Sequence, residues 1–103
     1  MHTKNAGGVT TKERNEEDLI KVLASKGAIE VLEYINQHSE AHREDMKEFC
    51  GIRTLDARLQ ELSALGMVRR LEKGQNLMEG YSITDRGKKV LQVIESLLNL
   101  IED

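Results

Sequence analysis

Apolar positions along this chain fall three and four apart in several stretches, the spacing of helices with one buried face. Leu19, Ile20, Val22 and Leu23 form the first short apolar face. Asn15 stands where a cap for that helix belongs, with Glu16, Glu17 and Asp18 in the first turn, where the helix dipole favours anions. Residues 1–14 have no periodicity and contain a Gly-Gly pair, so they are expected to be disordered or loosely packed. After Gly27 the helical spacing resumes, with Ala28, Val31, Leu32 and Ile35 on one face. Met46, Phe49 and Cys50 then predict a short helix over 44–50, which Gly51 ends.

Thr54 is a candidate cap for the next helix. Leu55, Leu59, Leu62 and Leu65 share its apolar stripe, while Asp56, Ala57, Gln60, Glu61 and Ala64 point away. Gly66 stops it. Met67–Lys73 and Gly80–Thr84 are strand candidates joined by a loop at 74–80. Thr84 and Asp85 open a last helix, about 85–103, in which Val90, Leu91, Val93, Ile94, Leu97, Leu98, Leu100 and Ile101 are apolar. The predicted fold is mainly α with a small β-hairpin: a helix-turn-helix with a β-wing, extended by extra helices at both ends.

Length and composition narrow the possibilities. At 103 residues the chain makes one domain, placed over 15–103. Three aromatic residues (Tyr34, Phe49, Tyr81) and no Trp exclude a stacking platform for single strands. No apolar run approaches the roughly 18 residues of a membrane span, and no secretory-type stretch opens the chain. A cytoplasmic domain without a membrane partner is therefore expected. The single cysteine, Cys50, permits no internal disulfide. The net charge is −3, yet residues 53–89 carry eight basic groups against five acidic ones, while 27–52 carry two against six.

Three stretches resemble the winged helix-turn-helix transcriptional regulators, nearest the HxlR group within a wider set that includes the MarR and ArsR repressors. Thr54-Leu55-Asp56-Ala57-Arg58-Leu59-Gln60-Glu61-Leu62-Ser63-Ala64-Leu65-Gly66-Met67-Val68 is similar to the recognition helix and the entry into the wing. Tyr81-Ser82-Ile83-Thr84-Asp85-Arg86-Gly87 is similar to the end of the wing. Val22–Ala28, leading into Ile29–Ile35, resembles the segment that opens the HxlR domain. The turn Gly51-Ile52-Arg53 is about two residues shorter than the family's, and Ala28 stands near the place of an HxlR tryptophan. The resemblance implies that Thr54–Ala64 lies in a major groove of double-stranded DNA and that the 74–80 loop reaches the backbone or the minor groove. It also implies a twofold dimer.

Residue chemistry adds candidates and alternatives. On the helix, Gln60 can pair with adenine and Asp56 can accept from cytosine N4. Ala57 lies on the same outward face, Thr54 can touch phosphate as well as cap, and Arg53 can reach a phosphate. Arg58 is placed either for a base contact or for a structural ion pair. In the wing, Arg69, Arg70 and Lys73 are candidate phosphate contacts, with Gln75 and Asn76 near the tip and Arg86, Lys88 and Lys89 following. His38 and His42 have a metal-pair spacing but no third ligand singled out, so no metal and no cofactor are expected. Cys50 is expected to be a buried, inert thiol. No catalytic constellation appears.

The last helix is apolar over about 180° of its circumference, against roughly 100° for a helix that packs on one core. Val93, Leu97, Leu100 and Ile101 are thus candidate dimer contacts, the alternative being cover by residues 16–26 of the same chain. The function expected is a homodimeric, sequence-specific regulator on double-stranded DNA. The alternative is a winged helix used as a protein-interaction module.

Overall fold

Ala28, Val31, Leu32 and Ile35 of helix α2 (Ala28–Gln37) are completely buried in the computed structural model, which describes residues 11–72 and 79–102. Helix α1 (Thr11–Leu23), helix α4 (Ile52–Ala64), helix α5 (Asp85–Glu102) and strand β3 (Gly80–Ile83) all pack against α2. Leu55, Leu59 and Leu62 of α4 face inward as their spacing predicts, and Met46, Met67 and Leu91 complete the interior. Each such large side chain, fully buried, contributes about 1.5–3 kcal/mol relative to exposure.

The sheet has three antiparallel strands in the order β1-β3-β2. Strand β2 (Val68–Leu71) pairs with β3 in the register Val68 to Ile83 and Arg70 to Tyr81, which makes the predicted hairpin. Strand β1 (Ala41–His42) lies on the other side of β3, and the Arg43 N–H extends that edge by donating to the Glu79 carbonyl at 3.2 Å. Two residues of unpatterned sequence gave no warning of β1. A 3-10 turn, Arg43–Met46, then runs into α3 (Lys47–Cys50), the first helix of the helix-turn-helix.

Three boundaries differ from the sequence expectation. Helix α1 begins at Thr11, so Asn15 lies inside it rather than capping it, and part of the stretch expected to be disordered is helical. Lys, Glu and Arg are strong helix formers, so a helix can begin among them without an apolar stripe. Thr54 is likewise not the cap of α4. Gly51, at φ 74°, donates its N–H to Lys47 at the end of α3 and accepts from the Leu55 N–H at the start of α4. One residue thereby makes the whole turn, in a conformation that side chains other than glycine rarely adopt. Strand β2 ends at Leu71, so the predicted strand is shorter, and Lys73 lies outside the described residues together with Gln75 and Asn76.

A compact joint connects α4 to α5. The Met67 N–H donates to the Leu62 carbonyl and the Gly66 N–H to the Ser63 carbonyl, each at 3.0 Å, the paired bonds of a Schellman motif, with Gly66 at φ 78°. Thr84 caps α5 by accepting from the Gly87 N–H at 3.1 Å, while its hydroxyl donates to the Gly66 carbonyl at 2.6 Å. Arg86 Nη1 donates to the Leu65 carbonyl at 3.0 Å. Gly87 is pressed so close to Met67 that a Cβ there would stand 2.2 Å from the Met67 carbonyl oxygen.

Candidate nucleic-acid interface

The outward face of α4 is uncovered. Arg53, Asp56 and Gln60 are exposed, and Thr54 and Ala57 are half-buried among them. Arg69 and Arg70 are exposed on β2. Arg69 makes no ion pair among the described residues, whereas Arg70 Nη2 lies 3.6 Å from Glu79 Oε2.

Arg43 ties these two surfaces together. Its Nε donates to Asp56 Oδ1 at 2.7 Å and its Nη2 to Asp56 Oδ2 at 3.0 Å, a two-bond ion pair from the start of the 3-10 turn to the first turns of α4. Its backbone N–H meanwhile holds Glu79, the residue that pairs with Arg70 at the wing base. The outward face of α4 and the base of the wing therefore share one polar corner. The sequence gave little hint of Arg43, because it is one of two basic residues in an otherwise acidic stretch.

Hydrogen bonding to Arg43 holds the Asp56 carboxyl below the usual carboxylate range, and the same bond raises Arg43. A carboxylate whose pKa is lowered on folding adds stability above its unfolded value of about 3.9, and that stability is lost as pH falls through the folded value. Both partners are partly exposed, so the contribution is discounted to a few tenths to about 1 kcal/mol. Asp56→Asn should accordingly lower the urea midpoint at about pH 6. The gap from the parent should narrow at about pH 3. A gap of equal size at both values would show that the pair does not stabilise the fold.

Arg58 lies 3.0 Å from Glu61 on the same helix, at the edge of the leucine stripe. The two atoms are buried and not aligned for a hydrogen bond, so this is a charge contact, the structural one of the two roles considered. Arg86 is bonded to the end of α4, and Lys88 and Lys89 are exposed in the early turns of α5. His38 Nδ1 lies 2.8 Å from the Tyr34 carbonyl and its ring stacks on Tyr34, while His42 Nε2 lies 3.3 Å from Glu40. Each ring thus has its own local partner. Cys50 is half-buried rather than buried, with its sulfur close to Gly27 in the turn between α1 and α2.

Helix α5 turns Leu91 and Ile94 into the core and leaves its other apolar side bare. Val93 is 61% exposed, Leu97 55%, Leu100 74% and Ile101 79%. The described part of α1 packs on α2 and α4 and does not bury them. Among the described residues no helix is long and apolar enough to cross a membrane.

No protein-family model matches the sequence, and no curated protein matches it. Solved structures do match the fold. MepR from S. aureus, determined as a DNA complex, has a TM-score of 0.68 at 16% identity over 89% of this chain and 78% of its own. MarR gives 0.70 at 15% identity over 98% of this chain and 78% of its own. The homodimeric winged helix-turn-helix DNA-binding domain of Mb0332 from Mycobacterium bovis gives 0.70 at 20% identity, covering 92% and 91%. The chain has the winged helix-turn-helix fold of these proteins. Its described elements match the predicted class in order, with β1 added to the hairpin.

Proposed function

We propose that this chain is a cytoplasmic transcriptional regulator, nearest the HxlR group, that binds double-stranded DNA with sequence preference as a homodimer. The observation that carries this reading is the uncovered face of α4, held in one polar corner with the base of a wing that presents Arg69. A helix fits the major groove, where side chains reach base edges, while affinity comes mostly from neutralised phosphates. Gln60 reads a base, and Ala57 lets the helix approach closely. Arg53, Thr54 and Arg69 contact phosphate, together with Arg70, Lys73, Gln75 and Asn76 of the wing. Val93, Leu97, Leu100 and Ile101 cover one another across the twofold axis. MepR in complex with DNA and the homodimeric Mb0332 domain support both halves of the reading by their shared fold.

A second reading, a protein-interaction module, draws on the scarcity of cations along α4. Arg53 is the exposed one, and Arg58 is engaged by Glu61. Salt separates the two readings, because only phosphate binding releases condensed counterions. Arg69→Glu is the cleaner wing variant, since a glutamate at Arg70 would also face Glu79 and disturb the wing base. It should weaken binding to all duplexes alike and reduce the salt slope by roughly one per protomer. Unchanged affinity at every salt concentration would remove Arg69 from the interface. A parent protein with no salt-dependent duplex binding would favour the interaction module.

A further inference from the structure

The guanidinium of Arg43, on a side chain 25% exposed, is fastened along one edge by Asp56. Asp56 accepts from Nε and from one Nη2 hydrogen, which fixes the plane of the group. The second Nη2 hydrogen and both Nη1 hydrogens make no hydrogen bond among the described residues. The carboxylate oxygen nearest Nη1, Glu44 Oε2, is 3.9 Å away, and Glu44 is itself engaged by Lys47 at 2.7 Å. Asp56 precedes Gln60 by four residues, so the two share the outward face of α4. The unbonded donors of Arg43 therefore stand beside the outward face of α4 as a fork whose orientation Asp56 fixes.

We propose that Arg43, oriented by Asp56, reads a guanine in the major groove. The inference rests on the reading of α4 as the DNA-facing helix. Guanine is the base that presents two adjacent acceptors there, O6 and N7, and a guanidinium edge matches them with two parallel bonds. Phosphate also accepts two bonds, but the Arg43–Asp56 pair is neutral as a unit and its carboxylate repels a phosphate. A neutral acceptor pair meets no such repulsion. The arrangement also gives Asp56 a role that its own chemistry does not suggest. It acts as a positioning residue for Arg43, and the pairing cancels a negative charge that would otherwise face DNA.

Selection from random duplexes tests this with the full-length chain. The parent should enrich a guanine at one position of each half-site. Arg43→Ala should lose about 10- to 100-fold of the discrimination at that position and keep the others. Arg43→Lys should lose it too, because a point charge keeps the attraction without the fork. Asp56→Asn should weaken it, since the fork is no longer held. A uniform drop over all sequences in Arg43→Ala, with a salt slope lower by about one per protomer, would mean a phosphate contact and overturn the proposal. Unchanged selection in Arg43→Ala would overturn it as well. Should these variants fold poorly, 7-deazaguanine at the enriched position decides with the unmodified protein. Removing N7 should lower affinity several-fold if the fork reads it, and equal binding to both duplexes would refute the proposal. A parent that binds no duplex in a salt-dependent way overturns the proposed function itself, a result distinct from selective binding that ignores Arg43.

Discussion

Replacing Leu97 and Ile101 by Asp together should split the proposed dimer into monomers and lower its affinity for a two-half-site duplex by about 100-fold or more. Both side chains lie on the bare side of α5, at 55% and 79% exposure, so the substitutions disturb little of the packing within the single chain. Helical content should therefore hold. In an apolar contact between two copies, by contrast, each carboxylate would lose its water without gaining a partner, at a cost of several kcal/mol. Two half-sites about 34 Å apart are engaged together only by a linked pair, and the second contact then comes at high effective concentration. Sedimentation at several concentrations, with duplex titrations alongside, measures both effects. A double variant that remains dimeric would place the interface elsewhere. A parent protein that stays monomeric into the hundred-micromolar range would end the dimer reading altogether.

Gly87→Ala should destabilise the domain severely, although glycine to alanine inside a helix ordinarily gains up to about 1 kcal/mol. The added Cβ would stand 2.2 Å from the Met67 carbonyl oxygen and 2.8 Å from Ile83 Cγ1. Ile83 could turn aside, but the Met67 carbonyl is backbone and already accepts the Thr84 N–H at 3.1 Å. Relief requires pulling α5 away from the end of α4, which breaks the Thr84–Gly66 and Arg86–Leu65 bonds as well. Overpacking of this kind costs about 1–3 kcal/mol and sometimes more, against a total stability of roughly 5–15 kcal/mol. The urea midpoint should fall accordingly. A variant as stable as the parent would show that the joint is slack.

What could be read ahead of the structure followed the apolar spacing. The inward residues of α2 and α4 and the bare side of α5 all lie where periodicity put them, because burial of a helix face is a local signal repeated every turn. Strand β1 was illegible for the opposite reason. Ala41 and His42 are a strand only because β3, almost forty residues later, offers them partners. The ion pair of Arg43 with Asp56 spans thirteen residues and depends on the tight turn at Gly51, which block charges along the chain do not report. Thr54 has the residue type of a cap, whereas the backbone of Gly51 already supplies the break between helices. The partners of the outward face of α4 cannot be read from spacing at all, since exposed residues obey no packing rule.

The joint between α4 and α5 has a mechanical consequence. Because Gly66, Thr84, Arg86 and Gly87 clamp the end of one helix to the start of the other, α5 acts as a lever arm with α4 at its near end. Its eighteen residues give it a length of about 27 Å. Were the far end held fixed, as the proposed dimer would hold it, a tilt of only about 7° would carry α4 sideways by about 3.3 Å, close to the rise of one base pair. On the proposed reading of a dimer on DNA, a change of a few degrees in the seating of α5 would shift α4 by about one base-pair step.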